Sequence, residues 1–356
     1  MIIAIAAEHA NSQKPTGVEH YTRQLILALS RVDKKNQYIL YTRTKPQEWL
    51  CSLPTNFTLR YLPSRFAWTQ VRLSAAILID KPHTLLVPSF SMPLIHPRNT
   101  IVTIHDLAWL LFPETETTLQ RWSLTLTHIF AKLFARRLIA VSHSTKSDLV
   151  TALNVHESLV DVVHHGVSEY EQSDRIKTTL STYVEPRIVC LGTLQPRKNL
   201  SRLIEAFSQM KQTTGLPHVL VIAGREGWMC DETLSKIKQA KDVMYVGYVA
   251  DRLSLLRGAS LLVLPSIYEG FGLSLLDAFS ECVPVACSNI SSLPEVAGDA
   301  AEFFDPYDIS SISNAMSKVL QDDYRAADLV RLGSDRLKQF SWDNCAKKTL
   351  DIILNI

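Results

Sequence analysis

Short apolar runs alternate with segments of helical period from one end of the chain to the other, the pattern of β-α units stacked on parallel sheets. MIIAIAA, YILYT, TLLVP, TIVTIH, RLIAVS and VDVVHH read as six strands in the first half; RIVCLG, HVLVIAG, VMYVG, LLVLPS and VPVACS read as five in the second. Between them, segments such as EHYTRQLILALSRV place apolar residues at i, i+3, i+4 and i+7 and predict helices. Eleven strands are more than one open sheet comfortably holds, since large sheets curl or split, so the α/β pattern predicts two doubly wound domains. The seam falls in SEYEQSDRIKTTLSTYVEP (168–186), which is polar, lacks periodicity and ends in Pro186. The expected domains are therefore residues 1–170 and 171–340. FSWDNCAKKTLDIILNI closes the chain as an amphipathic helix with Ser341 as N-cap, able to pack on either domain.

Composition agrees with this size of fold: 356 residues at 46% hydrophobic and 20% charged supply apolar material for two cores. The charge balance, 37 basic against 35 acidic residues, advertises no electrostatic grip on nucleic acid. Cys51, Cys190, Cys230, Cys282, Cys287 and Cys345 are scattered without a C-x-x-C pair, which reads as reduced thiols in a cytoplasmic chain. The opening MIIAIAAEH has no basic stretch ahead of its apolar run, so it reads as a first strand and not as a signal peptide. Two N-x-[ST] matches, at Asn56 and Asn289, are discounted with secretion.

Ligands of open α/β sheets collect at the C-terminal strand ends, and five stretches place chemistry there. Gly17, between the first strand and a helix, admits close backbone approach by an anion, as would any plain turn. His105 ends TIVTIH beside Asp106; an imidazole there could donate to a sugar hydroxyl, or be a loop residue satisfied by backbone, with Asp106 an N-cap. Arg197 and Lys198 lie in the turn before LSRLIEAF, where two cations beside a helix start suit a diphosphate and where solvated charges are also common. Gly247 and Tyr248 end a strand in a turn that could hold a flat base. Last, YEGFGLSLLDAF places Glu269 at a strand end, Phe271, Gly272 and Leu273 at a turn into a helix, and Asp277 one to two turns further in. One carboxylate near a helix start compensates the dipole; two flanking a Gly-Phe-Gly turn suggest ligand contacts.

The ordered segments T-G-V-E-H-Y, I-H-D-L, V-S-H-S-T, H-H-G-V, L-G-T-L-Q-P-R-K-N-L, V-I-A-G-R-E-G-W, P-S-I-Y-E-G-F-G-L, L-P-E-V-A-G-D-A and F-S-W strongly resemble the retaining glycosyltransferases of family four. Their GT-B fold is two Rossmann-like doubly wound domains facing across a cleft. The likeness runs through nearly the whole chain and is loosest over residues 40–100. It implies donor binding in the C-terminal domain and acceptor binding mainly in the N-terminal one, with the last helix, about 341–356, crossing back to the first domain. It further implies that Arg197 and Lys198 neutralise the donor diphosphate, that Gly17 touches phosphate through its backbone and that His105 binds the transferred sugar. Glu269 and the amides from Phe271 to Leu273 would hold sugar hydroxyls, and Asp277 the ribose. The family needs no metal, and the chain has no D-x-D motif. Three positions depart from the family pattern: Asp277 stands where Glu is usual, Gly192-Thr193 replaces Gly-Arg, and Cys282 replaces a common glycine.

The resulting expectation is a metal-independent, retaining hexosyltransferase without a cofactor, using a nucleotide-diphosphate sugar, GDP-mannose favoured over a glucose donor, and a glycan or lipid-linked acceptor in cell-surface polysaccharide synthesis. The alternatives are a catalytically silent relative that binds a partner or glycan, motivated by Asp277 and Cys282, and a same-fold sugar-nucleotide epimerase. RYLPSRFAWTQVRL (60–73) and HIFAKLFARRL (128–138) mix apolar residues with cations as helices on the inner membrane face do, and as core helices with charged edges do too.

Overall fold

The computed structural model of the chain describes residues 1–167 and 186–356, and its described residues divide into two compact units. The first comprises Met1–Leu111, Thr118–Gly166 and Phe340–Ile356; the second comprises Phe112–Thr117 and the described part of Val167–Gln339. The expected seam, and with it the 170/171 boundary, lies outside the described residues save for Pro186.

In chain order the first unit contains β1 (Ile2–Ala6), α1 (Gly17–Val32), β2 (Gln37–Thr42), α2 (Glu48–Cys51), β3 (Phe57–Tyr61), α3 (Ser74–Asp80), β4 (Thr84–Val87), β5 (Asn99–Ile104), α4 (Ala108–Leu111), α5 (Thr118–Phe134), β6 (Arg137–Ala140), α6 (His143–Thr151) and β7 (Val160–Val162). The second contains β8 (Arg187–Leu191), α7 (Leu200–Thr214), β9 (Val219–Ala223), α8 (Asp231–Gln239), β10 (Val243–Tyr245), α9 (Arg252–Leu256), β11 (Leu261–Leu264), α10 (Leu273–Ser280), β12 (Val285–Ser288), α11 (Leu293–Ala297), β13 (Glu302–Phe304), α12 (Ile309–Gln321) and α13 (Asp323–Leu337). The last helix, α14 (Trp342–Leu354), returns to the first unit.

Each unit has its own parallel sheet, ordered β3-β2-β1-β4-β5-β6-β7 and β10-β9-β8-β11-β12-β13. Strand order therefore reverses once in each, between β1 and β4 and between β8 and β11, and a crevice opens at the carboxyl ends of such a pair. The central strands are largely apolar because helices cover both faces; every residue of β8 and β11 is buried, Arg187 at the start of β8 included, its guanidinium donating to the Leu255 and Arg257 carbonyls.

The apolar runs account for eleven strands, and the structure adds β3 and β13. β3 is an edge strand whose FTLRY leaves Thr58, Arg60 and Tyr61 exposed, and β13 is only three residues long, so neither shows as an apolar run. Neither of the two segments that mix apolar residues with cations is a single helix, whether surface-bound or core. In 60–73, Arg60 and Tyr61 finish β3 and Trp68–Leu73 forms a π-helical turn into α3; in 128–138, α5 stops at Phe134 and β6 begins at Arg137. Phe112–Thr117 leaves the first unit because Phe112 packs against Tyr268, centroids 5.4 Å apart, and Trp228 Nε1 donates to the Thr115 carbonyl.

Ser341 caps α14 by accepting from the Asn344 amide. That helix lies on α1, with Trp342 buried among Tyr21, His20 and His165 at ring separations of 5.7 to 6.1 Å. Gly166 is the place where the chain leaving β7 passes the start of α14: a Cβ there would stand 2.1 Å from the Trp342 nitrogen and 2.6 Å from the Ser341 carbonyl carbon. Gly166→Ala is accordingly expected to destabilise the first unit by about 1 to 3 kcal/mol, read as a lowered chemical-denaturation midpoint. The opposite sign is expected at Cys282. It follows α10 in the left-handed region at φ 56°, where its amide and that of Val283 close the helix end on Phe279 and Ala278. Since a Cβ is disfavoured there by about 1 to 2 kcal/mol, Cys282→Gly should raise the midpoint slightly, the gain reduced by the freer unfolded chain.

Candidate active site

The second unit assembles its candidate chemistry at the β8/β11 switch. After β8 the chain makes a tight helical turn, Pro196–Lys198, that ends at Asn199 with φ 57°. Asparagine tolerates this left-handed conformation. Its side-chain amide donates to the Pro265 carbonyl (3.0 Å) just past β11 and to the Pro306 carbonyl (2.7 Å), while its oxygen accepts from Arg202 (2.9 Å). Asn199 thus ties the cationic turn to the end of the neighbouring strand. The Ile267 amide donating to the Arg197 carbonyl at 2.9 Å adds a second tie.

Across that junction Glu269 meets both cations. Lys198 Nζ donates to Oε1, Arg197 Nη1 lies 3.3 Å from Oε2, and the buried Ser266 hydroxyl donates to Oε1 at 2.7 Å. The Glu269 backbone is gripped too: its amide donates to Ser291 (3.0 Å) and its carbonyl accepts from Ser292 (2.9 Å). With the Gln195 amide oxygen turned toward it, Arg197 also donates through Nε and Nη2 at 2.9 and 3.0 Å. Burial alone would raise the Glu269 pKa; Lys198 and Arg197 outweigh it and hold the carboxyl at about 2. Two cations thus share one buried carboxylate.

Gly272, at φ 95°, turns the chain into α10, and Phe271 and Leu273 flank it, so the first amides of α10 follow Glu269 directly. Asp277 lies inside this helix and is buried. Burial raises its pKa against the opposing pull of Arg252, whose Nε stands 3.1 Å from Oδ2. A ligand hydroxyl approaching Asp277 would compete with that guanidinium. Gly247 and Tyr248 follow β10 at the sheet edge, two strands from β8; the Tyr248 ring carries the Arg225 guanidinium 5.3 Å from its centroid.

In the first unit, Gly17 opens α1 next to the β1/β4 switch, with Thr16 and Glu19 closing a capping box, and a Cβ at Gly17 would meet no atom within 4 Å. His105 follows β5. Its Nε2 lies 2.8 Å from the Pro88 carbonyl, which can only accept, so the ring proton sits on Nε2 and the neutral ring offers Nδ1 as an acceptor. Burial lowers its pKa, which keeps the ring neutral. The donor role expected for His105 is thereby corrected to an acceptor role. Asp106 accepts from the Ala108 amide at 3.2 Å, the capping alternative.

The structure therefore brings Arg197, Lys198 and Glu269 together, sets Phe271, Gly272 and Leu273 beside them, and leaves Gly247, Tyr248 and Asp277 engaged elsewhere in the same unit. Sequence reasoning passed over Ser266, Asn199, Ser291, Ser292 and Arg252. Ser266 and Asn199 sat inside the stretches already singled out, Ser266 three residues before Glu269. Arg252, 25 positions before Asp277 in the numbering, carried no local signal.

Comparison with known proteins gives two family matches that together span most of the chain. The sequence model described as Glycosyltransferase Family 4 matches residues 15–169, and that described as Glycosyl transferases group 1 matches residues 174–335. Among curated relatives, the O-antigen chain mannosyltransferase B of Escherichia coli is 39% identical over 166 residues, 45% of this chain and 44% of that protein. The serotype-specific mannosyltransferase WbdA of Escherichia coli is 26% identical over 289 residues, 76% of this chain and 34% of that protein. The matched stretch is thus under half the length of either relative. Among solved structures, Anabaena HepE in complex with UDP-glucose superposes with a TM-score of 0.76 at 16% identity, over the full length of both chains. The fold is GT-B.

The Glu269 cluster makes a pH prediction. Because the folded pKa lies below the ordinary 4.5, the stabilisation is complete above 4.5 and is lost as the pH falls toward about 2. That gap corresponds to about 3 kcal/mol. Denaturation midpoints of the wild type should fall across this window, and Glu269→Gln, already lacking the charge, should show a lower plateau and a flatter acid limb.

Proposed function

Because the chain belongs to the group 1, family 4 glycosyltransferases, we propose that it moves a hexose from a nucleotide-diphosphate sugar to a glycan or lipid-linked acceptor in cell-surface polysaccharide synthesis. Retention of anomeric configuration, independence of metal and a cytoplasmic site of action are part of the proposal. Mannose is the favoured sugar and GDP-mannose the favoured donor. The mannosyltransferase names of the Escherichia coli relatives support the sugar, and the UDP-glucose held by HepE supports a nucleotide-diphosphate donor.

The observation that carries the reading is the Lys198–Glu269–Arg197 cluster at the β8/β11 switch. Charge that builds on a departing diphosphate is best met by cations already oriented, since they need not reorganise as the bond breaks. Glu269 supplies that orientation. It holds Lys198 and Arg197 in place, and the amides opening α10 add partial positive charge beside them. In a front-face transfer the leaving phosphate oxygen takes the acceptor's proton, so no side chain need act as base. His105, neutral and with Nδ1 available, accepts from a sugar hydroxyl.

Calorimetry with GDP, UDP and ADP tests the reading. GDP should bind best by about tenfold, or 1.4 kcal/mol, and Lys198→Ala should abolish it. With donor and acceptor supplied, the same variant should lose about two to three orders of magnitude in kcat, and proton NMR of the first product should show retained configuration with chelator present. Failure of all three nucleotides to bind at millimolar concentration would turn the assignment to a silent, partner-binding relative.

A further inference from the structure

Two of the sequence motifs take no part in the ion cluster or in the turn into α10. They are H-H-G-V after β7, with His165 and Gly166, and F-S-W, with Ser341 and Trp342 at the start of α14. In the first unit they meet. The chain leaving β7 passes against the Ser341–Trp342 backbone at Gly166, and the rings beside it pack as one group. Trp342 is tilted only 21° from His165 at a centroid distance of 5.7 Å, and it lies 6.1 Å from Tyr21. His165 and Tyr21 are 4.7 Å apart, and they reach His105 at 5.9 and 4.9 Å. Trp342 therefore backs two rings that His105 packs against.

His105 needs that support. Its hydrogen bond from Nε2 to the Pro88 carbonyl anchors one corner of the ring, and such a bond tolerates a range of angles. The ring could still swing about the bond that carries it, so what presses on it sets the direction of Nδ1, the atom left to accept. Tyr21 meets it edge to face at 80° and is itself tied to β5, its hydroxyl 3.2 Å from Thr103 Oγ1. Tyr21, His165 and Trp342 are all buried, and close-packed rings have no void to turn into.

We infer that Trp342, carried by the last helix, is a positioning residue for transfer: through His165 and Tyr21 it holds the His105 ring so that Nδ1 meets the sugar hydroxyl. This rests on the acceptor role proposed for His105. The same packing keeps the group dry. Asp106 and Glu19 favour the His105 imidazolium and His9 opposes it, and burial outweighs the carboxylates. His20 and His164 act on His165 in the same sense as burial, and Cys345 of α14 adds to the burial that keeps Tyr21 neutral.

Trp342→Leu removes the ring while keeping an apolar side chain, and Trp342→Phe restores a ring. Nitrogen-15 NMR of the histidine-labelled full chain, with the His105 signal identified by its loss in His105→Ala, should show a neutral wild-type ring protonated on Nε2. In Trp342→Leu that signal should move toward a mixture of tautomers and titrate closer to the ordinary 6.5, whereas Trp342→Phe should keep the wild-type pattern. With donor and acceptor supplied, Trp342→Leu should lose about ten- to a hundredfold in kcat, with little change in donor KM. In the His105→Ala background it should lose nothing further, because a residue that acts through another is not additive with it. Melting curves identify the folded variants; His165→Leu, one ring nearer to His105, makes the same predictions if Trp342→Leu melts below the assay temperature. The inference is overturned if His105 keeps its wild-type signal in the leucine variants, or if the Trp342 and His105 losses multiply. A wild type without turnover would sink the transfer reading but not the holding of the ring, which the NMR decides alone.

Discussion

A carboxylate cannot be buried without a countercharge, and in the second unit Glu269 imposes that requirement on everything around it. Leaving Glu269 without its cations, or the cations without it, would strand an ion in the interior at a cost of about 3 to 5 kcal/mol. The turn carrying Arg197 and Lys198 must therefore hold one position relative to the end of β11. Asn199 secures it by reaching carbonyls on both sides, at Pro265 and Pro306, while Ser291 and Ser292 fix the Glu269 backbone from a third direction. The strand order makes this economical, because the reversal between β8 and β11 brings two turns 71 residues apart in sequence into contact.

The first unit solves its site differently. Tyr21, His105, His165 and Trp342 pack ring against ring with centroids 4.7 to 6.1 Å apart. Burial lowers the pKa of both imidazoles, most strongly for His165, where His105, His20 and His164 add to the effect. The cluster is kept uncharged by exclusion of water rather than by pairing. One unit thus holds a buried ion cluster and the other a cluster of neutral rings.

Both sheets and the terminal helix were legible because central parallel strands must be apolar on both faces, which leaves unbroken runs such as LLVLPS, and because Ser341 is a strong cap. β3 and β13 were not, since an edge strand and a three-residue strand impose no such run. Arg197, Lys198 and Glu269 could be picked out from their places at strand ends. Their mutual pairing could not, because it depends on the strand order. Asp277 shows the same limit from the other side: its position in α10 followed from spacing, but its pairing with Arg252 depends on how α9 meets α10. At Cys282 the departure from glycine now has a physical content, a φ of 56°.

Neither unit is a continuous length of polypeptide. The second takes six residues, Phe112–Thr117, from the midst of the first, and the first recovers the final seventeen, Phe340–Ile356, from beyond the second. A chimera that joins one half of this chain to the other half of a relative at the 168–185 stretch would exchange less than it intends. It would take its α14 from one parent and the α1 and Gly166 that receive it from the other, and would meet Tyr268 and Trp228 with a foreign hexapeptide. Modularity here is a property of the folded units and not of the gene, and any recombination of parts must carry the borrowed segments with their hosts.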